Sequence, residues 1–272
     1  GRGTLRYIKE ETIGKGKLKE LSNYLESFKI NLVLTAHPTQ FYPGSVLGII
    51  NDLSFFISEG NIDEIKKLLL QLGKTRFFKK KKPTPFDEAM SLIWYLENIF
   101  YTSSSRIYNY IEQNILDGER LKNQLFSFGF WPCGDRDGNP YVTPDISIRT
   151  AEKLKYSVQR NYYRDLRKLK RKITFDEVEE IIDDLEIRMY NSLLNKSRRI
   201  SLVELKDRLN EVINILNKKH NGIYVEEVID LYNKVKIFGY HFASLDIRQD
   251  SRVLRKVFIR IIESSESKSF LN

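Results

Sequence analysis

The stretch FSFGFWPCGDRDGNPYVTPD (126–145) contains three features that together decide the fold class. Its phenylalanines alternate over 126–130, which predicts a short strand with one apolar face. A loop rich in glycine and aspartate follows, and Thr143-Pro144 then begins an amphipathic pattern that extends to about Lys172. A strand, a polar loop and a long helix in this order are typical of a βα unit in a parallel sheet.

Two further segments are predicted to be strands. The run from Asn31 to Ala36 is short and apolar and ends directly before His37-Pro38, and FGYHF (238–242) alternates aromatic residues before LDIRQ (245–249). Because long helical stretches separate the three strands, we expect them to pair in parallel through crossover connections. Functional residues in such sheets and barrels gather at the carboxyl ends of the strands, where these polar segments lie.

Most of the remaining chain is predicted to be amphipathic helix. The predictions depend on apolar residues at helical spacing, on proline at the first helical position and on capping-box spacings. The predicted helices cover 44–58, begin at Thr84-Pro85, begin at Thr174 and at Ser201 (each with a glutamate three residues later), and cover about 223–236.

Composition and charge exclude several classes of protein. The 272 residues are 41% hydrophobic and 30% charged, which is typical of a folded globular chain. No apolar run approaches the roughly 18 residues of a membrane span, and no P-loop, GxSxG, HExxH or GxGxxG motif is present. Cys133 is the single cysteine, which excludes an internal disulfide framework and fits a reducing compartment, so we expect a cytoplasmic protein.

The net charge of +9 leaves two interpretations open. A basic chain is able to bind nucleic acid, and the lysine run Lys79–Lys82 is its densest cluster of positive charge. Basic residues are, however, interleaved with many acidic ones, which favours lysines that simply cover solvated helix faces. Charge alone therefore does not decide the function.

The polar segments after the predicted strands contain the candidate functional residues. His37 follows an apolar strand and can act as acid, base or anion partner near neutral pH. The loop GDRDGNP (134–140) can fold tightly around a ligand, or it can be a structural turn in which Asp135 and Asp137 bind backbone amides. Arg248 has a guanidinium suited to phosphate or carboxylate, and the alternative is a surface ion pair with a neighbouring aspartate.

Four segments, in order along the chain, resemble signatures of the phosphoenolpyruvate carboxylase family. They are TAHPTQ (35–40), KPTPFDEA (82–89), GDRDGNPYVTPD (134–145) and FGYHFASLDIRQDS (238–251). The resemblance extends from about residue 18 to the end of the sequence. It implies carboxylation of phosphoenolpyruvate by bicarbonate, with Mg²⁺ or Mn²⁺ as cofactor, to give oxaloacetate and phosphate.

The resemblance also assigns roles to individual residues. It implies that His37 is catalytic and assists the breakdown of a carboxyphosphate intermediate, and that Arg248 binds the phosphate of the substrate. A supporting loop at the floor of the site would consist of Asp135, Arg136, Asp137 and Asn139. Family members often have paired arginines where this chain has Pro43 and Gly44, so sugar-phosphate activation is not expected. Cys133 stands where a glycine is commoner in the family.

The fold implied by the resemblance is a mostly helical α/β structure. Residues 1–272 would form a single partial domain, a partial TIM-type (β/α) barrel with about three parallel strands and many helices. Family chains are much longer, and their metal-binding carboxylates and catalytic lysine lie beyond the residues present here, so no metal ligand is expected in this chain. A fragment of this kind is expected to be inactive alone and to aggregate through exposed sheet edges and apolar surface.

The resemblance further implies a homo-oligomer, a tetramer in the family, with no nucleic-acid or membrane partner. Two alternatives remain from other functional classes. One is a basic helical module that binds nucleic acid through the lysine run, and the other is a non-catalytic scaffold that keeps the fold of the enzyme.

Overall fold

The computed structural model describes residues 3–35, 42–77, 83–136, 139–194 and 197–269. Within these ranges the chain is mostly helical, with a small sheet made of β1 (Ile30–Leu34), β2 (Phe126–Phe130) and β3 (Ser244–Leu245). The helices are α1 (Leu5–Gly14), α2 (Leu18–Ser27), α3 (Gly44–Ser58), α4 (Ile62–Lys74), α5 (Pro85–Tyr95), α6 (Tyr101–Tyr110), α7 (Pro144–Lys170), α8 (Glu179–Leu193), α9 (Leu202–Lys219), α10 (Val225–Phe238) and α11 (Ser251–Ser269). Two π-helical turns, Leu96–Phe100 and Ile111–Ile115, adjoin the two ends of α6.

The three strands are parallel and lie in the order β1-β2-β3. Leu34 pairs with Phe130, and Phe130 pairs in turn with Leu245, so all three strands end at the same level. The predicted parallel arrangement is therefore confirmed for these strands. The TIM-type barrel stays a prediction, because three strands do not define a closed sheet.

The two faces of the sheet differ in polarity. Phe126, Phe128 and Phe130 are buried in the main core, where the Phe128 ring stacks on Phe238 of α10 with the ring centres 5.3 Å apart. On the opposite face Asn31 accepts a hydrogen bond from Ser127, with 2.9 Å between Oγ and Oδ1. One face of the sheet thus packs against the helical core, whereas the other carries Asn31, Ser127 and the exposed Val33 and is more polar and more open.

Helices α5 to α10 supply most of the main core, which the buried face of β2 joins. The Tyr162 side chain of α7 is fully buried, and its hydroxyl donates to the backbone oxygen of Gly239 just after α10 at 2.7 Å. By contrast, Val46, Ile49 and Leu53 of α3 are buried but lie outside this main cluster, because α3 packs chiefly against α4. The buried face of the sheet therefore packs into a core that is otherwise helical, with α10 against β2.

Several predicted helix starts are confirmed, and local hydrogen bonds explain why. Thr84 and Asp87 form a reciprocal capping box at the start of α5, and Pro85 occupies the first helical position. Thr143 caps α7 by accepting from the backbone N–H of Ile146, and Ser201 caps α9 by accepting from the backbone N–H of Glu204 at 3.2 Å. The predicted helices at 44–58 and near 223–236 correspond to α3 and α10.

Two predictions about secondary structure are wrong. Alternation over 238–242 predicted the third strand, but Phe238 ends α10 and Gly239, with φ of +57°, terminates the helix before the two-residue strand β3. The Thr174-Glu177 spacing predicted a helix start, but α8 begins at Glu179 and Glu177 has φ of +70°. The Glu177 carboxylate binds Lys219 of α9 instead of capping a helix, so a tertiary contact replaces the local one.

Helix α11 is exposed along its whole described surface. Its side chains as far as Ser265 are exposed, including the apolar Val257, Phe258 and Ile261. Apolar surface of this kind favours association, although the predicted aggregation stays a prediction. Among the helices of the described ranges, none combines the length and the apolar character needed to cross a membrane.

Candidate functional site at the strand ends

The carboxyl ends of the three strands bring together segments that are far apart in the sequence. The backbone N–H of Trp131 donates to Leu34 at the end of β1 at 3.0 Å, and the N–H of Asp246 donates to Phe130 at 3.0 Å. These bonds continue the sheet beyond its named strands. The residues that follow β2 and β3 are consequently held side by side.

A short backbone ladder joins the turn after β2 to the segment after β3. Asp135 and Arg248 form an isolated parallel bridge, in which the N–H of Arg136 donates to the oxygen of Arg248 at 2.9 Å. The N–H of Arg248 in turn donates to the oxygen of Gly134 at 3.1 Å. The backbone of Arg248 is therefore fixed on both sides by the loop that was predicted to support it.

The Arg248 side chain is held by an aromatic ring and by one carboxylate. Its guanidinium carbon lies 4.8 Å from the centre of the Trp131 ring, and Nη1 lies 3.4 Å from Oδ2 of Asp135. The side chain is nevertheless 49% exposed. Because a guanidinium has five N–H donors in a planar fork, the exposed part of this group can bind an anion such as phosphate.

The ion pairs at this site differ from those that sequence neighbours suggested. Among the described residues, the carboxylate within ion-pair distance of Arg248 is Asp135, which is 113 positions away, and not Asp246 or Asp250. Asp250 pairs with Arg252, whose Nη2 lies 2.7 Å from Oδ2. Hydrogen bonds from Arg252 hold the pKa of the Asp250 carboxyl below its usual range.

The described part of the supporting loop makes structural contacts through Arg136 and Asn139. Arg136 Nη2 donates to Ser147 Oγ at 3.0 Å in the first turn of α7, and that hydroxyl donates to the oxygen of Cys133 at 2.6 Å. Asn139 Oδ1 accepts from the N–H of Tyr141 at 3.1 Å, a turn-forming bond. Arg136 and Asn139 therefore fix the loop to α7 and shape its turn.

Cys133 has a structural environment. Its side chain is buried, its Sγ donates to the oxygen of Pro85 at 3.2 Å, and burial raises the pKa of the thiol. Its φ of +66° lies in the left-handed region, where glycine is the least strained residue. This conformation is a physical reason to expect glycine at this position, and the environment is that of an unreactive thiol.

Some of the predicted residues cannot be placed. His37, Asp137 and the lysine run Lys79–Lys82 lie outside the described residues, so their predicted roles stay predictions. Thr35, the last described residue before His37, follows β1 directly. One residue that sequence reasoning missed, Trp131, lies in the middle of the site. The available signal was its position directly after a predicted strand.

The comparisons with known proteins give the family. The family model described as phosphoenolpyruvate carboxylase matches residues 2–204 and 190–270. The chain therefore belongs to the phosphoenolpyruvate carboxylase family, as the four sequence signatures indicated. Since the matches together cover nearly the whole chain, this assignment applies to the sheet and to the residues at its strand ends.

Curated relatives with the name phosphoenolpyruvate carboxylase are similar to this chain at low identity. The relative from Shewanella loihica is 25% identical over 84% of this chain and 31% of its own length. The relative from Nitrosomonas eutropha is 24% identical over 97% of this chain and 34% of its own length. One from Rhodopseudomonas palustris is 22% identical over 98% of this chain. The chain spans about a third of the length of the curated relatives that it matches.

The family implies a divalent metal, but the described residues do not offer a set of ligands for one. Among them, no three histidine, cysteine, aspartate or glutamate side chains lie close enough together to hold a metal ion. At the strand ends, Asp135 and Asp250 both bind arginine side chains. No step of the chemistry below is therefore routed through a metal bound by these residues.

Proposed function

We propose that this chain provides the phosphate-binding part of the active site of a phosphoenolpyruvate carboxylase. The observation that carries the proposal is the position of Arg248, a half-exposed guanidinium at the strand ends of a chain that belongs to this family. Its backbone is fixed by the ladder to Gly134 and Arg136, and its side chain lies over Trp131. A guanidinium fixed in this way can bind a phosphate with little further ordering.

The reaction proposed is the one that the family resemblance implies. A bicarbonate oxygen attacks the phosphorus of phosphoenolpyruvate, the bond from phosphorus to the enol oxygen breaks, and carboxyphosphate and the enolate of pyruvate result. Carboxyphosphate then releases CO₂ and phosphate, and the enolate carbon captures CO₂ to give oxaloacetate. Arg248 would stabilise the negative charge on the phosphoryl oxygens in the first step.

His37 is proposed as the catalytic residue of the second step. It stands two positions after Thr35, which follows β1 at the same edge of the sheet as Arg248. An imidazole near a phosphoryl group can donate a hydrogen bond or a proton as negative charge develops on the departing phosphate. His37 would thus assist the breakdown of carboxyphosphate and keep CO₂ close to the enolate.

The loop 134–139 is proposed to support Arg248 rather than to react. Asp135 orients the guanidinium, Arg136 anchors the loop to α7, and Asn139 shapes the turn. Asp137 is included in this loop by the family resemblance alone. Mg²⁺ or Mn²⁺ remains the proposed cofactor, with no ligand assigned among the described residues. A homo-oligomer that acts in the cytoplasm, without nucleic acid or membrane, is also part of the proposal.

The test is a chimera in which this chain replaces the matching third of the Nitrosomonas eutropha relative. Oxaloacetate formation from phosphoenolpyruvate, bicarbonate and Mg²⁺ is coupled to NADH oxidation by malate dehydrogenase. We expect activity that is lost in the His37→Ala and Arg248→Ala chimeras. The matched control is Arg208→Ala, which removes an exposed ion pair with Glu211 on α9 and is expected to leave the activity unchanged.

Two results of the chimera assay would contradict the proposed function. A folded chimera without activity, or one whose activity survives Arg248→Ala, would contradict the proposal. Strongly salt-dependent binding of nucleic acid that is lost when Lys79–Lys82 are neutralised would then favour the basic-module alternative.

A further inference from the structure

Gly134 lies directly against the backbone of the segment that follows β3. A Cβ atom built on Gly134 would lie 2.3 Å from the carbonyl oxygen of Asp246 and 3.0 Å from its carbonyl carbon. Real Cβ atoms essentially never approach other atoms closer than 3.0 Å. Because the obstacle is a backbone carbonyl, it cannot rotate away as a side chain can. Space therefore requires glycine at this position.

This close approach is also what brings Arg248 to the loop. The oxygen of Gly134 accepts from the N–H of Arg248 at 3.1 Å, and the next residue but one, Arg136, donates to the oxygen of Arg248 at 2.9 Å. Any side chain at position 134 would push the segment after β3 away from the loop and lengthen both bonds. The position of the Arg248 backbone thus depends on the absence of a side chain at residue 134.

The Trp131 ring fixes the other end of the same arginine. The Trp131 backbone is fixed by its hydrogen bond to Leu34, and its ring lies 4.8 Å from the guanidinium carbon of Arg248. Contact between an arginine and an aromatic face restricts the side chain but leaves its N–H groups in the guanidinium plane available. The Asp135 carboxylate, at 3.4 Å, is the weaker of the two restraints on this exposed group.

We propose that Gly134 and Trp131 are positioning residues for Arg248. Gly134 allows the backbone of Arg248 to reach the loop, and Trp131 holds the guanidinium so that its remaining donors face an incoming phosphate. The identity of that anion depends on the proposed function, whereas the arrangement of the three residues does not. The experiment therefore measures the arrangement and the binding separately.

The chain offers matched glycines for the test. A Cβ on Gly129 would also meet Asp246, but the obstacle there is the carboxylate Oδ2 at 2.6 Å, which can rotate away, with Val33 side-chain atoms at 3.2 and 3.3 Å. A Cβ on Gly48 in α3 would meet nothing within 4 Å. Alanine at 134, 129 and 48 thus introduces the same atom against a rigid, a movable and no obstacle.

The first measurement is made without ligand. The sequence has two tryptophans, so Trp94→Phe leaves Trp131 as the sole reporter of its own surroundings. We expect the near-ultraviolet circular dichroism and fluorescence of Trp131 to change in Gly134→Ala and in Arg248→Ala, and to stay close to the parent in Gly129→Ala and Gly48→Ala. Trp131 spectra that are the same in the parent, Gly134→Ala and Arg248→Ala would overturn the positioning proposal.

The second measurement titrates inorganic phosphate and phosphoenolpyruvate against Trp131 fluorescence. We expect a saturable response in the parent, no response in Arg248→Ala, and affinity lower by about tenfold or more in Gly134→Ala, because charge-assisted hydrogen bonds to the anion are lost. Gly129→Ala and Gly48→Ala should bind within about threefold of the parent. Unchanged affinity in Gly134→Ala would overturn the positioning role.

Suppose that the Trp131 spectra change as expected in the ligand-free variants but the parent responds to neither anion. This result would contradict the proposed function and leave the arrangement of the three residues supported.

Where Gly134→Ala does not fold, Trp131→Phe and Trp131→Leu provide the test by calorimetric titration with phosphoenolpyruvate. Phenylalanine keeps a ring face for Arg248, so its affinity should match the parent. Leucine should bind about two- to fivefold more weakly, and equal affinity of the two variants would overturn the role of Trp131.

Discussion

Two positively charged side chains of this molecule, Lys234 and Arg248, occupy contrasting environments. Lys234 of α10 is 9% exposed and contacts two carboxylates, with Nζ 2.9 Å from Asp165 Oδ2 and 2.7 Å from Asp230 Oδ2. Its ammonium also lies 4.6 Å from the centre of the Tyr101 ring. Arg248 is 49% exposed, and its ion pair with a described residue is the one with Asp135 at 3.4 Å. One cation is enclosed by partners, and about half of the other side chain is exposed.

The difference shows how burial separates a structural ion pair from a binding residue. Burial alone would lower the pKa of Lys234, but the carboxylates of Asp165 and Asp230 outweigh it and the pKa is raised. Burial alone would likewise raise the pKa of Asp165, but Lys234 and Lys168 together outweigh it and the pKa is lowered. Asp230 also accepts from Asn109 at 2.8 Å, which continues the network into α6. Enclosed charges of this kind hold helices together and have little capacity for a ligand.

Of the methionine substitutions at Lys234 and Arg248, the one at Lys234 is expected to have the larger effect on stability. Lys234→Met removes the buried cation that Asp165 and Asp230 share and leaves Asp165 with the exposed Lys168 alone, so the free energy of unfolding should fall by about 3 kcal/mol. Urea denaturation followed by far-ultraviolet circular dichroism measures this change. A decrease below about 1 kcal/mol would mean that water reaches the pair and that it resembles a surface pair.

The stability of the protein should depend on pH through Asp165 and Lys234. Because the pKa of Asp165 is lowered on folding, its contribution is present above its ordinary value near 3.8 and is lost as the pH falls through the lower folded value. Because the pKa of Lys234 is raised, its contribution is complete below its ordinary value near 10.5 and is lost as the pH rises through the folded value. Melting temperatures between pH 2 and 12 should therefore fall at both ends. In Lys234→Met the melting temperature should change less steeply with pH at both ends. Equal slopes in the parent and the variant would contradict the roles given to Asp165 and Lys234.

Arg248→Met is predicted to have a smaller effect on stability and a larger one on binding. The exposed pair with Asp135 contributes no more than about 1 kcal/mol, so the urea midpoint should change little. The affinity for phosphoenolpyruvate should nevertheless be lost, as measured by calorimetric titration. A large loss of stability in this variant would show that Arg248 is a structural residue.

Arg208→Met provides the baseline of the series. Arg208 and Glu211 form an exposed pair three residues apart on α9, with 2.6 Å between Nη1 and Oε2. Such helix pairs contribute about 0.2–0.5 kcal/mol, so both the urea midpoint and the binding of phosphoenolpyruvate should stay close to the parent. A change as large as that of Lys234→Met would indicate that methionine itself perturbs the helices, and the other two variants would then need reinterpretation.

Local patterns predicted the elements whose stabilising contacts are themselves local. The caps at Thr84, Thr143 and Ser201 use hydrogen bonds within three residues, so the sequence was sufficient to place these helix starts. The failure at Thr174 has the opposite cause, because Glu177 binds Lys219, 42 positions away. Alternation over 238–242 misled in a similar way, because the buried aromatic residues there pack around a helix end.

The candidate site was predictable only where its residues form local sequence patterns. The loop 134–140 and Arg248 were recognised as polar segments after strands and as family signatures. The contacts of Arg248 with Asp135 and Trp131 were not predictable, because nothing near Arg248 in the sequence indicates these two residues as its neighbours. Sequence neighbours suggested Asp246 and Asp250 instead. The parallel register of β2 and β3 brings the two segments together, and register depends on packing across the sheet.

The family, the helix caps and the apolar pattern that places one face of the sheet in the core follow from the amino-acid sequence. These features depend on residue types a few positions apart, so each short segment contains the information for them. Which cations are buried, which stay exposed and why residue 134 is a glycine depend on the tertiary structure. Burial and close backbone approach arise only when distant segments meet, as the loop after β2 and the segment after β3 do at Gly134 and Asp246.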